Sequence, residues 1–378
     1  MKAIVNGLAL RDGKLTEGQA LLFDHTIRGW ADEVPEGAEV FDAQGGVVAP
    51  GLIDVHCHGF GGREAGDVGA DELAAMSREL VRHGVTAWLP TVSCLAWERY
   101  AACFADIAQA MRLTGAEGFA GARILGAHAE GPFLNAEKCG AQNPDYIVAP
   151  DWARLEPLLY AVRLITVAPE AEGALALIRH LAGAGVTVSI GHTNADYAQA
   201  VAGIEAGATH ATHTFNAMPS LLHRKPGALS ALLNDPRVYC ELIADGFHVH
   251  PSLISLAAHL KGDHLVLITD SIRFSGLPEG RYTMGGQTVT VQGVECRLPD
   301  GTIAGSTLTL DRAVRNARDL GGLPLADALS AASHNAAAAI GDATRGALAP
   351  GLEADIVVFD AMMQPVRTFV GGTEVWRA

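Results

Sequence analysis

The sequence contains few cysteines, and none lies close to another along the chain. Six occur in 378 residues, and no C-x-x-C pair is formed among them. This spacing argues against a disulfide framework and against a zinc ribbon. We expect reduced thiols at Cys57, Cys94, Cys103, Cys139, Cys240 and Cys296.

Long apolar runs are also missing. No uncharged apolar segment reaches the length that spans a bilayer, and Arg11 and Asp12 interrupt the first apolar stretch early. Neither a secretory signal peptide nor a membrane anchor is therefore predicted. We expect a soluble, cytoplasmic protein with no membrane partner.

Basic residues are scarce relative to acidic ones. The chain has 27 lysines and arginines against 42 aspartates and glutamates, and its formal net charge is −15. Such a surface is a poor partner for nucleic acids and for anionic membranes. An anionic small molecule would need a local cluster of basic residues.

Hydrophobic residues make up 49% of the chain and are arranged in a regular alternation from Gly51 onward. Short, nearly continuous apolar runs alternate with Ala- and Leu-rich segments of helical composition. Continuous apolar strands covered by helices are typical of parallel sheets, because both faces of such sheets are buried. Eight runs fit a closed (β/α)8 barrel. They are LIDVH, VTAWLPTV, RILGAHAE, VRLITVAP, VTVSIGH, THATHTF, VYCELIAD and HLVLITD.

The two ends of the chain are predicted to form a second domain together. Residues 1–50 and 345–378 consist of short β-like runs separated by Gly, Asp and Pro, which indicates one small β-sandwich. Residues 51–344 then form the barrel, with an inserted hairpin near residues 281–303. The expected fold class is α/β, a TIM-like (β/α)8 barrel with a small β-sandwich domain.

Polar residues end several of the predicted barrel strands. Carboxyl ends of barrel strands share one face, so residues distant in sequence converge there. Each residue alone also fits an ordinary role in packing, capping or solvation. Their joint occurrence at the ends of different strands favours a metal site that contains His56, His58, Glu130, His192, His213 and Asp270.

Several longer motifs occur in a fixed order along nearly the whole chain. They are PGLIDVHCHG (50–59), HAEGPFLN (128–135), GHTN (191–194), THTFNAMP (212–219), ADGFHV (244–249), LITDS (267–271) and AGST (304–307). In these motifs the chain resembles the N-acetylglucosamine-6-phosphate deacetylases of the amidohydrolase superfamily. The resemblance implies hydrolysis of the acetamide of N-acetyl-D-glucosamine 6-phosphate, in amino-sugar catabolism and cell-wall recycling.

The resemblance also implies roles for single residues. Glu130, His192 and His213 match the main metal ligands, whereas Asp270 matches the general base and acid and a further metal contact. His56 and His58 match a first-strand pair that would hold a second metal. We therefore expect one or two divalent metals in each chain. Zinc is the leading candidate, and iron, cobalt and manganese remain open.

Substrate-binding positions are implied in the same way. The matching residues are Ala141, Gln142, Asn216, Ala217, Arg224, His248, Ala304, Gly305 and Ser306. In the family the arginine comes from the neighbouring subunit of a dimer, so we expect a homodimer in which Arg224 reaches the partner's site. Gln142 stands where relatives commonly carry histidine, which leaves the preference between gluco and galacto substrates open.

Three other functions remain as alternatives at this stage. The first is an N-acetylgalactosamine-6-phosphate deacetylase. The second is another amidohydrolase, similar to dihydroorotases or dipeptidases, which would share the barrel but not the NAMP and ADGFHV motifs. The third is a non-catalytic barrel, which the retention of every ligand and of the base disfavours. The role of Cys139, in the loop with Gln142, stays open.

Overall fold

Seven strands precede the barrel in the computed structural model, which describes residues 1–284 and 287–378. They are β1 (Lys2–Val5), β2 (Leu8–Arg11), β3 (Lys14–Thr16), β4 (Ala20–Phe23), β5 (Ile27–Ala31), β6 (Glu39–Asp42) and β7 (Val47–Pro50). A four-stranded sheet has the order β5-β4-β1-β6, whereas β2, β3 and β7 belong to a six-stranded sheet.

The barrel strands follow as parallel neighbours. They are β8 (Leu52–Cys57), β11 (Val85–Val92), β12 (Arg123–Ile124), β13 (Ala127–Glu130), β14 (Val162–Val167), β15 (Thr187–Ile190), β16 (His210–Ala211), β17 (Tyr239–Ile243) and β18 (Leu265–Ile268). The short strands β9 (Gly59–Phe60) and β10 (Arg63–Glu64) form a separate antiparallel pair. β12 and β13 both pair with β11, so they occupy one barrel position between them.

The barrel is nearly closed between β18 and β8. A parallel bridge joins Cys57 to Ser271, and the backbone N–H of Asp270 donates to the carbonyl of His56 at 2.9 Å. All positions of β8 and β11 are buried, as expected for strands with core on both faces. The eight predicted apolar runs thus form the eight barrel positions, and the predicted fold class is confirmed.

Helices cover the outside of the barrel and follow its strands. They are α1 (Ala70–Leu80), α2 (Trp97–Gly115), α3 (Trp152–Leu155), α4 (Ala174–Gly183), α5 (Tyr197–Glu205), α6 (Gly227–Asn234), α7 (Pro251–Lys261), α8 (Leu310–Asp319), α9 (Leu325–Ala331) and α10 (His334–Ala339). Capping side chains mark where some of these helices begin. For example, Asp196 and Gln199 form a capping box at the start of α5.

A small antiparallel sheet follows β18 in the region of the predicted hairpin. It contains β19 (Gly280–Met284), β20 (Gln287–Gln292) and β21 (Glu295–Arg297), in that order. Part of the predicted hairpin, residues 285 and 286, lies outside the described residues. The sheet packs around its own apolar cluster, which includes Phe274, Val289 and Cys296.

Three carboxyl-terminal strands complete the six-stranded sheet. They are β22 (Ile356–Phe359), β23 (Pro365–Val370) and β24 (Thr373–Arg377), and the sheet has the order β24-β23-β22-β7-β2-β3. Both chain ends therefore build this sheet, as predicted. The exact boundaries at residues 50 and 344 stay a prediction.

Alternate residues of the six-stranded sheet face different cores. Val48 and Ile356 pack with residues of the four-stranded sheet, whereas Val47 and Val357 pack with the barrel core. This is the two-residue period of a strand with both faces buried. One face of the sheet thus packs against the four-stranded sheet, and the other face packs against the barrel.

No helix in the described part of the chain combines the length and the apolar character that a membrane span requires.

A candidate metal centre at the mouth of the barrel

The predicted metal-binding residues converge at the carboxyl ends of the barrel strands. Glu130 is the last residue of β13, and His56 lies in β8. His192, His213 and Asp270 each lie two residues beyond the end of their strand. The convergence follows from the barrel, because all parallel strands end on the same face.

Glu130, His192 and His213 form the first cluster. Glu130 Oε1 lies 3.1 Å from Nε2 of His192 and 3.1 Å from Nε2 of His213. The two Nε2 atoms are 3.0 Å apart. All three side chains are buried, and their ligand atoms are close enough together to hold one metal ion.

His56, His58 and Glu130 form the second cluster, so the carboxylate of Glu130 is shared by both. The Nε2 atoms of His56 and His58 lie 3.2 Å apart, and each lies 3.4 Å from an oxygen of Glu130. Asp270 Oδ1 is 3.4 Å from His56 Nε2 and 3.3 Å from His58 Nε2. A carboxylate shared between two groups of imidazoles can bridge two metals.

The donor set of the first cluster fits a cation. Nδ1 of His192 donates to the carbonyl of Lys138 at 2.7 Å, because a carbonyl only accepts. In the neutral ring, Nε2 therefore carries a lone pair toward Glu130 Oε1, which also only accepts. These two lone-pair-bearing atoms repel each other unless a proton or a metal cation lies between them. The clusters are compatible with a divalent metal site.

Carboxylates dominate the electrostatics of the centre. Burial opposes charge on His58, but hydrogen bonds to Asp270 and Glu130 outweigh it and raise the pKa of His58 to about 9. Burial also opposes charge on Glu130, yet the nearby imidazoles of His192 and His56 hold the pKa of that carboxyl well below its ordinary value. The centre therefore attracts protons or cations in spite of its burial.

Unusual backbone geometry supports a functional interpretation. His192, His213 and Asp270 have φ angles of 46°, 28° and 48°, in the left-handed region that favours glycine. Such conformations cost about 1–3 kcal/mol each and persist where the surrounding structure imposes them. In each case the turn directly follows a barrel strand and redirects the side chain toward the clusters.

Gln142 lies directly against the centre. Its carbonyl oxygen accepts from the backbone N–H of Cys94 at 2.8 Å, and its amide nitrogen donates to Glu130 Oε2 at 2.6 Å. The two bonds assign the orientation of the amide. Gln142 thus engages the shared carboxylate, whereas the neighbouring Ala141 is exposed.

The loop after β16 carries three more of the predicted residues. Asn216 donates to the backbone carbonyl of His213 at 3.3 Å, and Ala217 accepts from the backbone N–H of Thr193 at 3.1 Å. Both residues are half-buried at the mouth of the barrel. Arg224 lies further along the same loop and is exposed to solvent.

The stretch Ala304 to Ser306 runs beside Asp270. The backbone N–H of Ser306 donates to the carbonyl of Asp270 at 3.0 Å, and the Ser306 hydroxyl donates to the carbonyl of Thr269 at 2.5 Å. A Cβ on Gly305 would lie 2.5 Å from Ile272 Cγ2 and 3.2 Å from the Asp270 carbonyl. Only glycine lets the backbone approach so closely.

His248 is oriented by a residue that the sequence reading did not single out. Its Nδ1 lies 2.6 Å from Asp245 Oδ2, and the other oxygen of Asp245 accepts from the backbone N–H of His248 at 2.8 Å. Asp245 was detectable as an acid two residues beyond β17. Glu241, within β17, was also missed, although a glutamate inside an apolar run is itself a signal.

Comparison with known proteins identifies the family of this chain. A sequence model described as "Amidohydrolase family" matches residues 47–375. The N-acetylgalactosamine-6-phosphate deacetylase of Escherichia coli O157:H7 is 36% identical over 96% of this chain and 98% of its own length. The N-acetylglucosamine-6-phosphate deacetylase of Danio rerio is 35% identical over 98% of this chain and 92% of its own.

A solved structure extends the similarity to three dimensions. It is that of the Mycobacterium smegmatis N-acetyl-D-glucosamine-6-phosphate deacetylase, a mutant in complex with N-acetyl-D-glucosamine-6-phosphate. It superimposes with a TM-score of 0.90 at 32% sequence identity, and the match covers 99% of each chain. The sequence match and the barrel geometry together establish that the chain belongs to the amidohydrolase family.

Proposed function

We propose that this chain hydrolyses the acetamide of N-acetyl-D-glucosamine 6-phosphate to glucosamine 6-phosphate and acetate. The observation that carries the proposal is that one carboxylate, Glu130, belongs to both imidazole clusters. The buried carboxylate of Asp270 lies beside them. The names of the two relatives and of the solved structure support the same class of substrate.

The first cluster, Glu130, His192 and His213, would hold the main metal, and the second would hold another through His56 and His58. We propose zinc, because two imidazoles and a carboxylate are a common catalytic zinc set; iron, cobalt and manganese also accept these ligands. A divalent metal bound here would lower the pKa of a water molecule and polarise the acetyl carbonyl.

We propose that Asp270 moves the proton that the reaction requires. It accepts a proton from the attacking water, whose oxygen bonds to the acetyl carbon, and returns it to the nitrogen as the C–N bond breaks. Burial raises the pKa of Asp270, but the nearby His56 and His58 outweigh it and lower the pKa.

Exposure also suits Asp270 to this role. Its side chain is 12% exposed, whereas those of His56 and Glu130 are 0% and 4% exposed. Of the six side chains of the candidate centre, that of Asp270 is therefore the most open to a substrate that enters the mouth of the barrel.

The substrate would lie among the residues around the barrel mouth. Asn216, the Ala217 backbone, His248, Ala141 and Gln142 are proposed to contact the sugar, together with the stretch 304–306. Arg224 is proposed to bind the phosphate of the neighbouring subunit's substrate in a homodimer. Its guanidinium would supply a local positive charge for the phosphate in a chain whose formal net charge is −15.

The function is tested by a deacetylation assay on four sugars. They are N-acetylglucosamine and N-acetylgalactosamine, each with and without the 6-phosphate. We expect the highest kcat/KM on N-acetylglucosamine 6-phosphate, with elemental analysis showing bound metal in the same preparation. A metal-loaded protein that releases acetate from none of them would refute the proposal.

N-acetylgalactosamine 6-phosphate is the second candidate substrate. The similarity to the Escherichia coli relative favours it. Gln142 leaves the choice between the two epimers open, because its amide is neutral and cannot carry the positive charge that a histidine there could carry. Higher kcat/KM on the galacto epimer in the same assay would select this alternative.

Arg224→Ala is expected to raise the KM for the phosphorylated sugar about ten- to hundredfold, since a charged hydrogen bond contributes about 1.5–3 kcal/mol. Activity on the unphosphorylated sugar should change little. Lys225→Ala, which removes the adjacent exposed charge, serves as the control. Equal losses on both sugars would instead assign Arg224 a structural role.

The origin of the arginine can be tested by mixing two inactive proteins. A heterodimer of Arg224→Ala and Asp270→Asn chains would contain one intact site if Arg224 acts across the interface. Partial recovery of activity after subunit exchange is expected. No recovery despite proven exchange would place Arg224 in the pocket of its own chain.

A His56→Ala/His58→Ala double variant is expected to bind one metal where the parent protein binds two at saturation. The expected loss follows from the convergence of both Nε2 atoms on Glu130. A His259→Ala/His264→Ala variant, which removes one exposed and one partly exposed histidine that neither cluster includes, is the control. Metal counts by elemental analysis that are equal in all three proteins would reject a second site.

A further inference from the structure

Glu241 is a carboxylate buried inside the barrel, directly below the metal centre. It lies in β17 and is 0% exposed. Its Oε2 atom lies 2.9 Å from Nδ1 of His56 and accepts from the backbone N–H of His213 at 2.9 Å. Its Oε1 atom lies 3.1 Å from Nε2 of His210. One side chain therefore contacts a member of each cluster.

We propose that Glu241 is a positioning residue that holds one ligand of each metal cluster in its binding geometry. The proposal rests on the metal site of the proposed function. It adds a residue beyond that site, because Glu241 lies on the far side of His56 from Glu130 and Asp270.

The contact with His56 fixes which ring nitrogen faces the centre. An ionised carboxylate has only acceptors, so Nδ1 of His56 carries the hydrogen in this contact. In the neutral ring the lone pair then lies on Nε2, which faces His58 Nε2 at 3.2 Å and Asp270 Oδ1 at 3.4 Å. A carboxylate behind a ligating histidine also makes the ring a stronger ligand.

The contact with His213 acts on the backbone instead of the ring. His213 has a φ of 28°, a conformation that needs support from its surroundings. The bond from its N–H to Glu241 supplies part of that support and sets the direction in which the side chain leaves the strand. Displacement of Glu241 would therefore disturb both clusters at once.

A simpler role for Glu241 would be to satisfy buried donors and fill space. Both roles predict some loss of stability on substitution, because unpaired buried N–H groups are costly. Only the positioning role predicts a graded loss of metal affinity in variants of similar volume. Glutamine and methionine are close to glutamate in size, and only glutamine keeps an acceptor for His56 and His213.

Cobalt(II) titration of metal-free protein tests the proposal. Affinity is measured by equilibrium dialysis with elemental analysis, and the ligand field by the visible spectrum of the cobalt protein. We expect about 10- to 100-fold weaker binding and an altered spectrum in Glu241→Met, the range typical for loss of a ligand's partner. Glu241→Gln should lose less, because its carbonyl can still accept.

Asp311→Asn is the matched control. Asp311 is a buried carboxylate that lies 3.1 Å from a ring nitrogen of His83, a histidine that neither metal cluster includes. It should keep the parent affinity even if its melting temperature falls. If Glu241→Met does not fold, Glu241→Asp replaces it, because the shorter side chain keeps the charge but withdraws it from both donors.

Parent-like cobalt affinity and spectrum in the folded Met or Asp variant would overturn the proposal. An equal loss in Asp311→Asn would overturn it as well, because the effect would then follow stability alone. Failure of the proposed function is distinct, since it would appear in the unmodified protein as absence of bound metal or of deacetylation.

Discussion

Asp270→Asn is expected to lower kcat by about 10² to 10⁴, the usual contribution of a positioned acid or base. Asparagine keeps the shape of the side chain but cannot accept the proton of the attacking water. The departing amine then receives no proton from this position. Because the change removes an interaction made during the reaction, KM should stay close to the parent value.

The metal content should survive this substitution. The first cluster, Glu130, His192 and His213, does not include Asp270, and its ligand atoms group without it. Elemental analysis of the same preparation therefore separates loss of proton transfer from loss of metal. Near-parent turnover in a fully metal-loaded Asp270→Asn protein would show that another residue is the base.

The barrel was predictable because its strands obey one simple rule. Strands buried on both faces need continuous apolar runs, and β11 shows this with eight buried positions in VTAWLPTV. Details within the runs were less accessible. The run THATHTF yields only a two-residue strand, His210–Ala211, because His213 and Phe215 adopt positive φ angles that no apolar pattern encodes.

The third barrel position shows the same limit. The run RILGAHAE is divided into β12 and β13. Gly126, with a φ of 144°, lies at the break, and a Cβ there would lie 2.7 Å from Arg163 Cβ. The chain at the break thus packs closely against the next strand. This contact between neighbouring strands cannot be predicted from a single sequence.

Residues at strand ends were predictable as a group, whereas their supports were not. His192 and Asp270 were found because parallel strands end on one face. Glu241 lies within β17 and Asp245 beyond it, and their significance depends on which imidazole each one touches. Those contacts join β17 to β8 and to its own following loop, and only the folded chain brings them together.

Gln142 makes a contact that could not be predicted from the sequence. Its position in the chain suggested a substrate contact, and that role stays a prediction. The described structure adds a bond to Glu130 at 2.6 Å, which depends on the path of the loop after β13. Substitution of Gln142 would therefore affect the shared carboxylate as well as any bound sugar.

Glu130→Gln is expected to remove both bound metal and activity, and it should have the largest effect of all the substitutions considered. Glu130 Oε1 lies within 3.4 Å of His56, His192 and His213, and Oε2 lies 3.4 Å from His58. Glutamine keeps the shape but loses the negative charge that both clusters share. It also directs an amide N–H₂ group at ring nitrogens or at Gln142.

The expected fall in metal affinity exceeds the roughly 10- to 100-fold that loss of a ligand's partner causes, because Glu130 is itself a proposed ligand in both clusters. Glu205→Gln is the control. Glu205 ends α5 and pairs with Arg237 at the surface. This control should retain its metal. Full activity in a Glu130→Gln protein shown to be metal-free would overturn the metal-dependent mechanism itself, since the acetyl carbonyl would then be activated by other groups.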